Sequence, residues 1–233
     1  MKRADYGLDA PGVIRTMGTV GIAALLVSTF MPVGAAIRSA GYWISASFLL
    51  TGFAMIASSR FGKMRARDAL LDAVAIKPSD TVLDVGCGRG LLLMGAAKRA
   101  TSGHAIGIDL WSNVDQMNNS RDATLANAKA EGVTDRVEVK DGDMRSLPFA
   151  DASVDAVVSS LAIHNVEGAA DRDKAIGEIA RVLKPGGRVG ILDIANVGRY
   201  ANKLKESGFT ITAGPGMSPW IFPPARMVIA TKT

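Results

Sequence analysis

The distribution of apolar positions divides the chain near residue 60. Before it, two long stretches carry no formal charge: Thr16 to Ile37, bounded by Arg15 and Arg38, and Ser39 to Ser59, bounded by Arg38 and Arg60. A helix needs about 20 apolar residues to cross the hydrocarbon core, and each stretch is long enough. Both are rich in Gly, Ala, Ser and Thr, small residues that let helices approach closely in lipid. The short break at Arg38-Ser39-Ala40-Gly41 predicts an antiparallel hydrophobic helical hairpin over residues 1–60. After it the pattern alternates. Met64, Ala69, Leu70 and Val74 have helical spacing, and Lys77-Pro78 ends that helix. The apolar run from Thr81 to Val85 leads into Gly86, Gly88 and Gly90, and an apolar helix follows from Leu91 to about Arg99. Further strands are predicted at Ala105–Asp109, Arg136–Lys140, Ala156–Ser160 and Arg188–Ile194, with helical stretches at 115–131 and 171–183 and another near Arg199. Such alternation builds βαβ units and a parallel sheet covered on both faces. The tail adds two strands, Phe209–Ala213 and Met227–Thr231, joined by a loop rich in Pro and Gly. Residues 61–233 thus read as one α/β domain.

Charge refines the N-terminal reading. The formal net charge is +5, and much of the excess flanks the apolar stretches: Lys2, Arg3, Arg15, Arg38, Arg60, Lys63, Arg65 and Arg67. Positive charge ahead of the first span and behind the second puts both ends of the hairpin in the cytoplasm. The α/β domain would then be cytoplasmic at a membrane, with a homo-oligomer through the N-terminal helices as a further expectation. A cleaved signal peptide, an interfacial segment around Pro32, or helices packed on the domain or on a second copy compete with two full spans. No Lys/Arg run interleaves with aromatics, which argues against a nucleic-acid partner. With one cysteine, Cys87, and two histidines, His104 and His164, no disulfide framework and no metal site are expected.

A glycine-rich strand–turn–helix lets backbone approach a ligand above a helix N-terminus. Dinucleotide-binding enzymes show G-x-G-x-x-G; here the string is Gly86-x-Gly88-x-Gly90 preceded by Asp84, which argues against a nicotinamide oxidoreductase. The string Leu83-Asp84-Val85-Gly86-Cys87-Gly88-Arg89-Gly90 resembles the first motif of the class I S-adenosylmethionine-dependent methyltransferases. Four further motifs agree in order: Ile106 to Asp109, Asp141 to Met144 followed by Leu147-Pro148-Phe149, Asp155 to Ser160, and the Leu183-to-Arg188 turn before the fifth strand. The resemblance covers roughly residues 75–231. It implies a Rossmann-like sheet, mostly parallel with the last strand antiparallel, and S-adenosylmethionine as cofactor, released as S-adenosylhomocysteine.

That resemblance also implies roles. Gly86, Cys87 and Gly88 would pass close to the methionine portion, with Cys87 as a small packing residue rather than a nucleophile. Asp84 would orient the loop or meet the cofactor's ammonium. Asp109 would accept the ribose hydroxyls. Leu110 and Trp111 would sandwich the adenine, and Gly142, Asp143 and Met144 would hold its amino edge and other face. Ser160 would border the methyl group. Methyl transfer is an in-line displacement that needs alignment more than a fixed catalytic group. His164, just after the fourth strand, is the candidate general base. Asn165 and Asp193 are weaker candidates near it. The lid would come from the helix around 60–72 or from the Gly214–Pro224 loop, whose Met217, Trp220, Ile221 and Phe222 are too apolar for a free surface loop. Met217, Trp220 and Phe222 would line an apolar pocket for a small-molecule or lipid acceptor. The rival expectation is a cofactor-binding sensor or scaffold that performs no chemistry.

Overall fold

The computed structural model describes residues 3–112, 116 and 118–233. Helix α1 (Pro11–Phe30) opens with Pro in its first turn, where the missing N–H costs nothing, and α2 (Ala35–Ala57) returns against it. Small residues make the contact. A Cβ on Gly21 would lie 2.8 Å from Leu49 Cγ, and one on Gly41 would lie 1.9 Å from Ser28 Oγ. The hydroxyls of Thr16, Thr19, Ser28 and Thr29 donate to carbonyls four residues back in their own helix. Polar groups are thereby satisfied internally, as a segment in lipid requires. The outer faces expose Phe30, Trp43, Leu50 and Phe53, and both helices are long and apolar enough to cross a membrane.

The hairpin turn differs from the expectation. It falls at residues 31–34, not at Arg38, which lies inside α2. Pro32 cannot continue a helix, whereas an arginine near a helix end can reach outward and leaves the backbone intact. Helix α2 passes through one π-helical turn (Ser58–Gly62) directly into α3 (Lys63–Val74). The expected boundary between residues 60 and 61 therefore falls inside a continuous helical segment. Residues 3–10 also depart from the expected hairpin: Tyr6 is buried and belongs to the core of the α/β domain.

That domain contains β1 (Thr81–Val85), α4 (Leu91–Arg99), β2 (His104–Asp109), α5 (Arg121–Glu131), β3 (Val137–Asp141), β4 (Val154–Ser160), α6 (Ala169–Val182), β5 (Leu183–Asp193), α7 (Val197–Glu206), β6 (Phe209–Ser218) and β7 (Ala225–Lys232). The sheet order is β3-β2-β1-β4-β5-β7-β6. The first five strands are parallel, β7 runs antiparallel to β5, and β6 antiparallel to β7. Alternating residues feed two cores. Val82, Val158 and Leu192 pack with α3, α4 and α5, while Leu83, Val157 and Ile191 pack with α6 and α7.

Two element bounds shift. The helix expected at 115–131 begins at Arg121, capped by Ser120, whose hydroxyl accepts the Ala123 N–H; residues 113–115 and 117 lie outside the described residues. Half of the expected Gly214–Pro224 loop is strand: β6 runs to Ser218 after register shifts between Ile211 and Gly216.

Gly190 of β5 lets α3 pack on the sheet, because a Cβ there would lie 2.4 Å from Val74 Cγ2 and 3.1 Å from Leu70 Cδ1. Gly190→Ala is expected to cost roughly 1–3 kcal/mol through overpacking, read as a lowered Tm of the detergent-solubilised protein.

Candidate active site

The strand order reverses between β1 and β4, and in open α/β sheets ligands bind beyond the carboxyl ends of the strands at such a point. The loop Gly86–Gly90 occupies that place. Gly86 has φ 72° and lies against the β4 exit, where an added Cβ would come within 2.4 Å of Ala162 Cβ and 3.4 Å of the Met144 methyl. Gly88, φ 51°, lies under Gln116, whose Oε1 would be 2.5 Å from an added Cβ. Only glycine tolerates both the backbone conformation and the crowding.

Asp109 closes β2 and faces this loop. Its carboxylate accepts the backbone N–H of Gly88 at 2.8 Å and of Trp111 at 2.6 Å, and the Asn119 amide at 3.2 Å. Three donors fill three of about four lone-pair positions, so receiving both ribose hydroxyls requires Trp111 or Asn119 to yield. Leu110 is exposed. Trp111 sits at φ 60° with its indole N–H on Asp141 at 2.6 Å. An apolar face and a ring thus stand side by side at the end of β2.

Asp84 is fully buried beneath the loop, and its Oδ2 has no hydrogen-bond partner. Burial pushes its pKa up to about 8; the Leu93 backbone N–H offsets part of the rise and the charge of Asp109 adds to it. A buried carboxyl with a bare oxygen fits an incoming ammonium such as that of the cofactor's methionine end. Cys87 is buried, and its Sγ would meet a Cβ on Gly107 at 2.8 Å, a packing contact. Burial raises its thiol pKa further, with Asp84 and Asp109 adding to the effect, which keeps it from nucleophilic use.

In the third motif, Gly142 packs tightly on Ile108, the Met144 methyl reaches Gly86, and Asp143 is bound by a neighbouring arginine. Both its carboxylate oxygens are engaged by Arg145, at 2.6–3.0 Å, and Arg145 also reaches Asp171 at 2.7 Å. The Arg145 contacts hold Asp143 below the usual carboxylate range.

Beyond β4, half-buried Ser160 leads into a 3₁₀ turn, Ile163–Asn165, with Asn165 exposed. His164 Nδ1 lies 2.5 Å from Asp193 Oδ1, and the His164 backbone N–H donates to Asp193 Oδ2 at 3.0 Å. Asp193 closes β5, is fully buried, and also accepts the Ile194 N–H at 2.8 Å. A carboxylate on Nδ1 fixes the imidazole and makes Nε2 its basic nitrogen. The segment after β6 packs against the helices. Phe222 N–H donates to Ser58 Oγ at 2.9 Å, the Trp220 carbonyl abuts Gly62, and Arg65 lies 5.3 Å over the Trp220 ring. It sits on the α2–α3 junction, while Arg226 just beyond it pairs with Asp193 across the sheet. Met217 is exposed on β6, and Ile221 is buried in the core.

The residues that sequence reasoning missed are Arg89, Gln116, Asn119 and Asn127, together with the segment ahead of α1. Arg89, Gln116 and Asn127 act through partners far away in sequence, for which no spacing rule gives a signal.

Fold and site together define a Rossmann-like class I methyltransferase domain. Residues 83–191 match the family described as "Methyltransferase domain", and the fold is that of the class I S-adenosylmethionine-dependent methyltransferases. Among curated relatives, a demethylmenaquinone methyltransferase of Lactobacillus johnsonii is 35% identical over 130 residues, 54% of this chain and 49% of that protein. A chloroplastic 2-phytyl-1,4-beta-naphthoquinone methyltransferase of Arabidopsis thaliana is 37% identical over 139 residues, 59% of this chain and 48% of that protein. The chain spans about half the length of the curated relatives it matches. Among solved structures, an S-adenosylmethionine-dependent methyltransferase from Aquifex aeolicus shares the fold at TM-score 0.58 and 20% identity, covering 72% of this chain and 89% of that one.

An ammonium beside Asp84 favours its ionised form, so S-adenosylhomocysteine binding at about pH 7 is expected to release close to one proton. Affinity should then tighten by up to about tenfold per pH unit as pH rises toward 8. Calorimetry in buffers of different ionisation enthalpy reads the proton, and Asp84→Asn should release none. By the same linkage, Asp84 binds a proton in the folded state that the unfolded chain has lost. Its effect on stability without ligand therefore runs oppositely, declining from about pH 4 to pH 8.

Proposed function

We propose that the protein transfers a methyl group from S-adenosylmethionine to a small, lipophilic, quinol-like ring acceptor at a cytoplasmic membrane surface. The observation that carries this reading is the His164–Asp193 pair at the carboxyl end of the sheet, with His164 following β4, the strand next to the glycine loop. The cofactor supplies a methyl carbon already activated by a sulfonium. What remains for the chain is to align the acceptor, exclude water and take a proton. His164 Nε2 accepts the acceptor's hydroxyl proton, which raises electron density on the ring, and Asp193 stabilises the imidazolium that forms. Ser160 and Asn165 flank that position.

The names of the two relatives, a demethylmenaquinone methyltransferase and a 2-phytyl-1,4-beta-naphthoquinone methyltransferase, support the acceptor class. The hairpin supports the location: its apolar outer faces suit lipid, and the basic residues Arg60, Arg65 and Arg67 follow its second helix. Trp220 and Phe222, half-exposed on the α2–α3 junction, would guide an apolar acceptor from the bilayer toward His164, with Met217 at the outer rim. In this reading the anchor raises the local concentration of a poorly soluble acceptor.

Labelled S-adenosylmethionine incubated with the purified protein, a membrane lipid extract and quinols of graded chain length tests the reading. Organic-soluble label is the expected result. Cofactor binding without label in any fraction would instead favour a non-catalytic sensor. His164→Ala should lower kcat by about 10²–10⁴-fold with cofactor affinity intact, and Asp193→Asn should lower it less. Trp220→Ala with Phe222→Ala is expected to raise the acceptor KM severalfold and leave the cofactor KM unchanged.

A further inference from the structure

Residues 3–10 form a strap whose contacts converge on the cofactor loop. Asn127, buried on α5, accepts the Asp5 N–H at 2.8 Å and donates both to the Asp5 carbonyl at 2.9 Å and to the Arg89 carbonyl at 2.8 Å. Arg89 follows Gly88 directly. Its Nε donates to the Asp5 carbonyl at 2.8 Å and a terminal nitrogen to the Asp5 carboxylate at 2.9 Å. The Tyr6 hydroxyl donates to Glu131 at 2.9 Å, and the Tyr6 carbonyl accepts the Gln116 amide at 3.3 Å. The oxygen of that same Gln116 accepts the Arg89 N–H at 3.0 Å. Strap residues therefore steady both side chains, Gln116 and Asn127, that hold the Arg89 backbone.

The same strap is fastened to the helical hairpin at both ends. It runs straight into Pro11 of α1, and Lys63, the first residue of α3, donates to the carbonyls of Tyr6 at 2.8 Å and Gly7 at 2.7 Å and reaches Asp9 at 3.3 Å. Ser59, in the turn that ends α2, receives the Asp9 N–H at 2.9 Å and donates to its carboxylate at 2.9 Å. Terminal segments are ordinarily loose because ordering them costs entropy; here a buried lysine, arginine and asparagine offset that cost. A segment wanted only to bury Tyr6 would not need bonds to the residue beside Gly88.

We propose that Asp5 and Tyr6 are positioning residues of the cofactor site, and that through them the seating of the helical hairpin is thermodynamically linked to cofactor binding. The strap holds Arg89 and Gln116 over Gly88, so the loop is prearranged when the strap is seated. Linkage is reciprocal: bound cofactor must in turn favour the seated strap. The inference rests on the Gly86–Gly90 loop being the cofactor site.

The test uses the full chain in lipid nanodiscs, with calorimetric titration of S-adenosylhomocysteine and hydrogen exchange of the amides of residues 4–9. Deleting residues 2–9, or replacing Asp5→Ala together with Tyr6→Ala, is expected to weaken binding about tenfold, within the usual range of coupling between sites. In the wild-type protein, added S-adenosylhomocysteine should slow exchange at residues 4–9. Affinity within twofold of wild type in the folded deletion variant overturns the proposal. Should neither variant fold, exchange at residues 4–9 that ignores the ligand in the wild-type protein overturns it. Failure of the wild-type protein to bind S-adenosylhomocysteine sinks the assignment of the loop instead, so the two failures are told apart.

Discussion

The backbone of the Gly86–Gly90 loop is the constraint on which the rest of the site depends. It belongs to neither strand nor helix, yet most of it is enclosed, and a buried amide left without a partner costs about 1–3 kcal/mol. Its groups are met one by one from separate parts of the chain. Gly86 and Cys87 N–H share the Ile108 carbonyl at 2.9 and 3.1 Å, Gly88 N–H goes to Asp109, and Arg89 N–H goes to Gln116. The Gly88 carbonyl accepts the Thr124 hydroxyl at 2.7 Å and the Arg89 carbonyl accepts the Asn127 amide. Side chains from β2, the segment after it, and α5 thus build the loop before any ligand arrives. Asp109 holds Gly88 itself, so in the proposed site it would have two jobs, fixing the loop and receiving a ribose, and a substitution there would remove both.

This division explains what was legible in the sequence. Alternating apolar strands, glycine spacing and the acidic residue closing β2 are local patterns, and they placed the strands of the sheet and the glycine loop correctly. Less legible were the places where backbone chemistry or another side chain decides. Arg38 looked like the hairpin break because charge interrupts an apolar run, but backbone chemistry puts the break at Pro32. Spacing gave no sign that Arg145, two residues on, engages both oxygens of Asp143. The Gly- and Pro-rich tail looked like a loop because those residues weaken strands, yet pairing with β7 holds Gly216 to Ser218 extended past an irregular register. Residues 3–10 carried no signal at all: a short polar stretch before an apolar helix reads as a tail unless Asn127 and Arg89 are known to wait for it.

The helical segment from α2 through the Ser58–Gly62 turn into α3 has a mechanical consequence. A π-helical turn inserts a residue and shifts the face that follows, so α3 can turn Leu70 and Val74 to the sheet while α2 keeps its apolar faces outward. Gly62 lies at that junction because the Trp220 carbonyl occupies the place of a side chain. The hairpin is therefore not joined to the domain by a free linker. Its orientation is fixed by the turn, by the Trp220 segment on one side and by Lys63 and the strap on the other.

Two buried carboxylates then give the site its direction. Asp84 is the penultimate residue of β1 and Asp193 closes β5, with β4 between them. Register carries Asp193 further: Asp84 is level with Val158 on β4, whereas Leu192 is already level with Ser160. With about 4.8 Å between strands and 3.3 Å per residue, the Cα atoms of the two residues stand on the order of 14 Å apart along a diagonal across β4. Their environments differ in kind. Asp84 is pushed toward its neutral form and keeps a bare oxygen, so it responds to an arriving cation; Asp193 holds an imidazole and two backbone amides and is already committed. In the proposed reaction the cofactor's positive group would lie toward the β1 end and the acceptor's proton would pass toward the β5 end, which puts the reacting carbon near the exit of β4, where Ala162 closes against Gly86.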